Sequence, residues 1–429
     1  MLTKEQNEYL TQTGPGTPMG NLYRSYWIPA LLAEELPGPD CAPVRVKLLS
    51  ERLIAFCDTD GNYGLIDEFC PHRGASLWFG RNEEGGLRCP YHGWKFDVNG
   101  HCTEVPSEPD ESGFCDNIKL ANYPLIKVGD VLWTYMGDPA KQPPEPEYEF
   151  CRVPAEQSFT SKRYQECNWV QAMEGGIDSS HVSFLHRGNL NTDPLFKDAG
   201  GNKYNLGDAK PVFEVVENDG GLYIGARRNA ENGNYYWRIT PWTMPSFTMV
   251  PPRGDHPMHG HFWIPIDDGQ CWAWSYDYHP VRALTAEERS AMEAGLGVHV
   301  EYEPGSNYRP AANKENDYLM DRDAQRRGDT YSGIKGIAMQ DASIQESMGP
   351  VVDRTKENLV STDNGIIMAR RRLMKAAKEL AEKGVTPPGV DPEHHKVRSV
   401  AVVLPPDQAY KDAAKDDLRA EPGKKQTSV

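Results

Sequence analysis

Short apolar runs dominate the first part of the chain. From about Tyr26 to Tyr135, the runs VRVKLL, RLIAFC, YGLID and VLWTYMG are broken by Gly, Asp and Asn. That pattern predicts brief antiparallel strands in an all-β unit. DPAKQPPEPEYEF, from Asp138 to Phe150, is rich in proline and has no hydrophobic period, which predicts a linker. Beyond it, ECNWVQAMEGGIDSSHVSFLH predicts a helix interrupted or bent near its double glycine. Long strands follow in KPVFEVVEN, GLYIGARRN, YYWRIT, MHGHFWIPI and CWAWSYDYHP. Ser361 to Gly384 places apolar residues at helical spacing between a polar start and a glycine stop. The fold class expected is α+β. Its parts are an N-terminal arm (1–25), the all-β unit (26–137), the linker (138–150), a mixed sheet-and-helix unit (151–384) and a tail (385–429). The tail is rich in Pro, Lys and Asp, and is expected to pack poorly. No repeat at a solenoid or propeller period is visible.

Charge narrows the function classes. Of 429 residues, 46 are Lys or Arg and 62 are Asp or Glu, a net charge of -16. That argues against a nucleic-acid or anionic-membrane surface and for a small soluble substrate or a basic protein partner. The start MLTKEQNEYLTQ has no apolar h-region, and no stretch approaches a membrane span, so a cytoplasmic protein is expected. Nine cysteines in a chain this long do not make a disulfide scaffold. In a reducing compartment they should be free or metal-bound.

The chemistry begins at Cys70-Pro71-His72 and Cys89-Pro90-Tyr91-His92. Each pair offers one thiolate and one imidazole. Side by side, the two loops can place both cysteines on one iron and both histidines on the other, the ligand set of a Rieske 2Fe-2S centre. The prolines, with Gly74 and Gly93, suit tight loops at hairpin tips. The competing reading is a structural zinc site, but zinc fingers usually put two Cys in one pair and two His in the other, whereas each pair here is mixed.

The second constellation is Glu174-Gly-Gly-Ile-Asp178-Ser-Ser-His181-Val-Ser-Phe-Leu-His186. Asp178 and His181 are three apart and share a helical face, whereas His181 and His186 would diverge on a regular helix. Both histidines reach one metal only if the helix ends or distorts between them. Two histidines and one carboxylate leave three positions open on Fe(II) for dioxygen beside a substrate. Any one of these histidines alone reads as an ordinary polar residue. Joint occurrence with a Rieske pair changes that, because an electron-storing cluster and an oxygen-activating iron belong together.

With CPHRGASLWFGRNEEGGLRCPYHGWKFD, EGGIDSSHVSFLHRG and the early GPGTPMG, the chain resembles the oxygenase subunit of the Rieske non-haem iron family. It is most similar to the branch containing phthalate 4,5-dioxygenase, from Gly14 to about Gly384. The resemblance implies a Rieske domain followed by a catalytic domain of helix-grip type, with an antiparallel sheet flanked by helices. It makes Cys70, His72, Cys89 and His92 the cluster ligands, and His181 and His186 two iron ligands. Asp178 becomes a bridging carboxylate. The third iron ligand is implied near the C-terminal helix, where Asp341 in MQDASIQES matches best, with Asp353 and Asp363 as competitors. Dioxygen is the implied cosubstrate, the reaction being cis-dihydroxylation of an aromatic ring or a monooxygenation ending in O-demethylation. Trimers or stacked trimers are implied, with the cluster of one subunit facing the iron of the next. Gly14-Pro-Gly16-Thr-Pro-Met-Gly20 has the wrong spacing for a dinucleotide loop, so NAD(P)H and flavin are expected on a separate flavin- or ferredoxin-type reductase.

An aromatic acid needs a cationic anchor in an apolar pocket. Arg238, flanked by aromatics in YYWRIT, is the candidate, ahead of Arg227, Lys203 and Lys210. Trp237, Trp242, Trp263, Trp272 and Trp274 are candidates for lining a pocket or for core packing. The alternative function, an electron-transfer Rieske protein without oxygenase chemistry, leaves the long second unit and its His181/His186 pair without a role.

Overall fold

The computed structural model of the chain describes residues 1–109 and 112–429. The N-terminal arm folds into α1 (Lys4–Thr11), opened by a Thr3–Gln6 capping box, and α2 (Pro18–Tyr23), capped by Thr17. Such caps satisfy backbone N–H groups that the first helical turn leaves orphaned. The all-β unit comprises β1 (Trp27–Leu32), β2 (Val44–Leu48), β3 (Glu51–Cys57), β4 (Tyr63–Asp67), β5 (Arg81–Glu83), β6 (Gly86–Arg88), β7 (Lys95–Phe96), β8 (Cys102–Glu104), β9 (Asn122–Tyr123), β10 (Leu125–Val128) and β11 (Val131–Tyr135). They form three small antiparallel sheets, ordered β1-β11-β10, β2-β3-β4-β9 and β5-β6-β7-β8.

The second unit contains β12 (Ser158–Gln165), β13 (Val212–Glu217), β14 (Gly221–Asn229), β15 (Tyr235–Thr243), β16 (Phe247–Val250), β17 (Met258–Asp267), β18 (Gln270–Tyr278) and β19 (Val400–Leu404). They build one antiparallel sheet of order β12-β18-β17-β16-β15-β14-β13, with β19 added against β15. Around it lie α3 (Trp169–Ile177), α4 (Asn202–Gly207), α5 (Ala286–Glu293), α6 (Arg322–Arg327), α7 (Ile337–Ser347), α8 (Asn364–Lys383) and α9 (Tyr410–Ala413). Along α8 the buried residues Ala369, Leu373, Ala376 and Ala377 recur every three or four positions, and the left-handed Gly384 ends the helix. Burying a side chain such as Leu373 contributes about 1.5–3 kcal/mol. On α3 the buried Trp169, Val170, Met173 and Ile177 join the same core as Phe262 and Ile264 of β17.

Two expectations need correction. The segment from Val385 is not a poorly packed tail, because β19 pairs with Tyr235–Ile239 of β15 while β16 covers only Trp242 and Thr243 of that strand. Without β19, half of β15 would present unpaired N–H and C=O groups, a cost that outweighs the polar composition around it. Tyr410 of α9 is fully buried against Trp237. The proline-rich stretch is likewise anchored: Tyr148 and Phe150 are buried among Trp133, Phe247 and Phe262, and Trp27 donates to the Pro143 carbonyl at 3.0 Å. The interruption expected near the double glycine is present, since α3 ends at Ile177, one residue after Gly176. The glycines are there for close approach, since a Cβ on Gly176 would lie 2.1 Å from the Trp263 ring and one on Gly175 2.2 Å from Gln345 Nε2.

Candidate metal centres and substrate cavity

The two Cys/His loops repeat one backbone design. Cys70 N donates to Ala75 O at 2.9 Å and Gly74 N to Cys70 O at 2.9 Å; Cys89 N donates to Trp94 O at 2.8 Å and Gly93 N to Cys89 O at 3.0 Å. Both glycines are left-handed, φ 75° and 78°, where a Cβ would be strained. The second loop closes the β6–β7 hairpin, and the first is closed by the Phe69–Ser76 bridge. Beneath the first loop, buried Glu68 accepts from Arg45, Arg52 and Ser76. Both cysteines are buried, and burial beside Cys89 pushes the Cys70 thiol up to about 11. The rings of His72 and His92 lie 4.4 Å apart with Trp94 stacked on His72. His92 Nδ1 is buried with no hydrogen-bond partner among the described residues, as a metal-ligating nitrogen would be. The donor set of two thiols and two imidazoles fits a Rieske cluster.

The second centre is assembled from two elements. After α3 ends, the Asp178 carboxylate accepts from Ser180 N at 2.7 Å and His181 N at 3.3 Å, turning the chain so that Asp178 Oδ2 also meets His181 Nδ1 at 3.2 Å. The contact therefore arises from a side-chain-capped turn and not from a shared helical face. His181–Ser183 is a single 3₁₀ turn, which brings His186 back, with the two Nε2 atoms 3.1 Å apart. Asp341 on α7 completes the group, its Oδ1 3.6 Å from His181 Nε2 and 3.3 Å from His186 Nε2. Adjacent ligands about 2.1 Å from an octahedral ion lie about 3 Å apart, so these separations suit three ligands on one face of a metal. Asp353 and Asp363 do not join the group: Asp353 accepts from Thr355, and Asp363 from Val360 N. Burial favours the neutral Asp341 carboxyl, but the His186 and His181 imidazoles and Arg163 outweigh it and hold it below the usual range. Burial also opposes a charged His181, but Asp178 and Asp341 prevail and raise it. α3 is tethered behind the site by buried Glu174, which accepts from Arg370 Nε at 2.6 Å and Arg354 Nη2 at 3.2 Å.

The triad opens on a cavity whose wall includes Phe196, Val250, Val298, Ile337 and Trp263. Arg238 and Arg253 also line it, 3 % and 5 % exposed. Among the described residues neither has a salt-bridge or hydrogen-bond partner, and Arg238 Nε and Arg253 Nε and Nη1 are buried and unsatisfied. Burial lowers both guanidinium groups, and the neighbouring Arg238 charge helps bring Arg253 down to about 9. Arg163, the third cation of the wall, has only long contacts to Ser275 and Gln165. His259 is held neutral by burial and by Arg253.

Comparison with known proteins agrees with both centres. The Rieske [2Fe-2S] domain profile matches residues 26–124, and the profile described as LigXa C-terminal domain like matches 134–426. The 3-chlorobenzoate-3,4-dioxygenase oxygenase subunit of Comamonas testosteroni is 37% identical over 91% of this chain and 92% of its own. The phthalate 4,5-dioxygenase oxygenase subunit of Pseudomonas putida is 36% identical over 88% and 86%, and the 5,5'-dehydrodivanillate O-demethylase oxygenase subunit of Sphingobium sp. 31% over 98% and 90%. The chain belongs to the Rieske non-haem iron oxygenases. Its fold is also that of dicamba monooxygenase bound to dicamba, with TM-score 0.58 and 19% identity over 84% of this chain and 99% of that one.

As a Rieske oxygenase the protein carries a 2Fe-2S cluster and a mononuclear iron and uses dioxygen. Of the basic residues considered from sequence, only Arg238 reaches the cavity. Lys203 pairs with Glu231, Arg227 covers the Tyr235 ring, and Lys210 is exposed. Of the five tryptophans, Trp263 alone lines the cavity, while Trp242 donates to Met173 Sδ in the core and Trp272 and Trp274 flank Lys162, itself paired with Glu35. Sequence reasoning missed Arg253. Its neighbours in PPRGDHP read as a turn, and only the fold brings that turn over the cavity. No helix among the described residues is long and apolar enough to cross a membrane.

Proposed function

We propose that this chain is the terminal oxygenase of a system that hydroxylates an aromatic carboxylate by phthalate-like cis-dihydroxylation. In this reading Cys70, His72, Cys89 and His92 hold the cluster, and His181, His186 and Asp341 hold ferrous iron. The observation that carries the substrate class is the pair of buried guanidinium groups, Arg238 and Arg253, which lack a hydrogen-bond or ion-pair partner among the described residues, Arg253 resting only over the Phe196 ring at 4.3 Å, in the wall that also carries the triad. A buried charge without a partner is costly, and a carboxylate entering the cavity would restore charge-assisted hydrogen bonds. Phe196, Val298, Ile337 and Trp263 offer an apolar surface for the ring.

When bound, the cluster supplies single electrons and the ferrous ion supplies dioxygen activation. The protein's own residues do the rest. The arginines orient the acid, the apolar wall excludes water, and Asp178 keeps the proton on His181 Nδ1, leaving Nε2 free to bind metal. The bridging role assigned to Asp178 requires that the open side of its carboxylate, 22 % exposed, meet a cluster histidine of a neighbouring copy. Head-to-tail closure of a trimer is supported by two exposed aromatic surfaces. Trp78, Phe79 and Tyr91 lie by the cluster loops, and Phe184 and Tyr331 lie by the iron site. We assign NAD(P)H and flavin to a separate reductase and place the enzyme in the cytoplasm, where reduced nucleotide is supplied.

O-demethylation of a methoxylated, lignin-derived acid is the second reading, favoured by the match to the dehydrodivanillate enzyme along nearly the whole chain. Product analysis with a competent reductase on phthalate and on a methoxylated aromatic acid decides between them. A ring cis-diol from phthalate is expected; formaldehyde from the methoxylated acid with no diol from phthalate would overturn the first reading.

A further inference from the structure

We propose that Gln340 is a positioning residue that sets which nitrogen of His186 faces the metal and ties the helix carrying Asp341 to the loop carrying both histidines. This rests on His181, His186 and Asp341 being the iron ligands.

Gln340 immediately precedes Asp341 on α7 and is fully buried. Its Nε2 donates to the Ile334 carbonyl at 2.9 Å and to Asn189 Oδ1 at 2.8 Å. A backbone carbonyl only accepts, so the atom facing Ile334 must be the amide nitrogen, and the orientation of this side chain is determined. Gln340 Oε1 therefore faces His186 Nδ1, at 2.8 Å. A carbonyl oxygen cannot donate, so Nδ1 bears the proton and Nε2 keeps a lone pair directed at Asp341 Oδ1 and His181 Nε2.

The same side chain crosses between elements. Ile334 lies just before α7, whereas Asn189 opens a 3₁₀ turn whose backbone N–H donates to His186 O at 3.0 Å. Three hydrogen bonds of one amide thus hold α7, and with it Asp341, in register with the histidine loop. The two imidazoles are fixed in the same tautomer by different partners: His181 by a part-exposed carboxylate, His186 by a buried neutral amide. A neutral acceptor orients His186 without placing a second anion in a site that already holds Asp178 and Asp341.

The test is the equilibrium partition of mononuclear iron between the holoprotein and a ferrous chelator, with the paramagnetic signal of the reduced cluster recorded on the same samples as a fold control. Gln340→Leu should weaken iron retention by about 10–100-fold with the cluster signal unchanged. Gln340→Glu, which keeps an acceptor opposite His186 Nδ1, should lose less. Should Gln340→Leu fail to fold, Asn189→Leu removes one of the two bonds that orient the amide and should weaken iron in the same direction by a smaller factor. Wild-type retention in Gln340→Leu, or in Asn189→Leu where the former is unfolded, overturns the proposal, as does equal loss in the Leu and Glu variants, which would make the role one of packing. The ligand assignment is tested apart from this, because it fails if His181→Ala, His186→Ala or Asp341→Ala retains iron.

Discussion

The cluster loops and the iron triad use similar donors in opposite ways. The loops take all four donors from residues 70–92, on two turns with the same hydrogen-bond pattern and the same left-handed glycine, so each half is formed by chain neighbours. The triad takes His181 and His186 from a broken turn after α3 and Asp341 from α7, and both elements must be docked before three ligand atoms meet. Local turns can preform a cluster site. The iron site instead depends on the network behind it, in which Glu174, Arg354, Arg370 and Gln340 hold the elements in place. A site that depends on docking can also sit beside a cavity lined from several elements.

The contrast breaks most sharply if one centre is removed. Cys89→Ser should abolish the red-brown colour, acid-labile sulfide and cluster signal while mononuclear iron remains. His181→Ala or Asp341→Ala should keep the colour and lose iron and product. Loss of both centres in each variant would show that they do not form independently. Asp178→Asn keeps the shape and removes the charge beside His181, which tests the proposed bridging role. Rapid-mixing oxidation of pre-reduced enzyme with substrate should then show cluster-to-iron electron transfer slowed by orders of magnitude with both metals present, and a wild-type rate would reduce Asp178 to local structure.

The docking side of the contrast predicts stability effects. Glu174→Ala removes one of the two carboxylates that the buried Arg354 and Arg370 share, Glu357 remaining on Arg370 at 2.6 and 2.8 Å, and should cost about 1.5–3 kcal/mol in denaturant unfolding. Burial disfavours the Glu174 anion, but the two arginines prevail and hold its pKa below the ordinary value. Its contribution is therefore complete above the unfolded value of about 4.3 and is lost as pH falls through the lower folded one. An acid transition unchanged in Glu174→Ala would count against this. Arg238→Met and Arg253→Met should each weaken binding of the aromatic acid by about 1.5–3 kcal/mol, roughly ten- to a hundredfold in affinity, without altering cluster reduction. Unchanged affinity in either returns that arginine to a packing role. The smallest effect expected is for Gly176→Ala, whose methyl must displace the Trp263 ring, at about 1–3 kcal/mol of folding stability.

What could be read from the chain alone was what neighbouring residues determine. The runs at Val44–Leu48, Glu51–Cys57 and Tyr63–Asp67 are strands because short apolar stretches bounded by Gly, Asp and Asn suit a buried sheet, and Gly384 stops α8 because it accepts a left-handed backbone. The mixed Cys/His pairs pointed to a cluster because their spacing puts one thiol and one imidazole on each of two turns. Asp341 was reached only through family resemblance, since nothing within α7 distinguishes it from Asp353 or Asp363 until α7 docks against the histidine loop. The fold also decided what composition misjudged. VAVVL at 400–404 lies in a polar, proline-rich stretch, yet it becomes β19 because half of β15 has no other partner. The double glycine marked the end of α3, but only the fold shows why Gly176 has no side chain, because a tryptophan from a strand far along the chain fills that space. Arg253 has no local signal at all. Its meaning comes from burial beside Arg238 with no counter-charge, which is a property of the assembled cavity and not of any stretch of sequence.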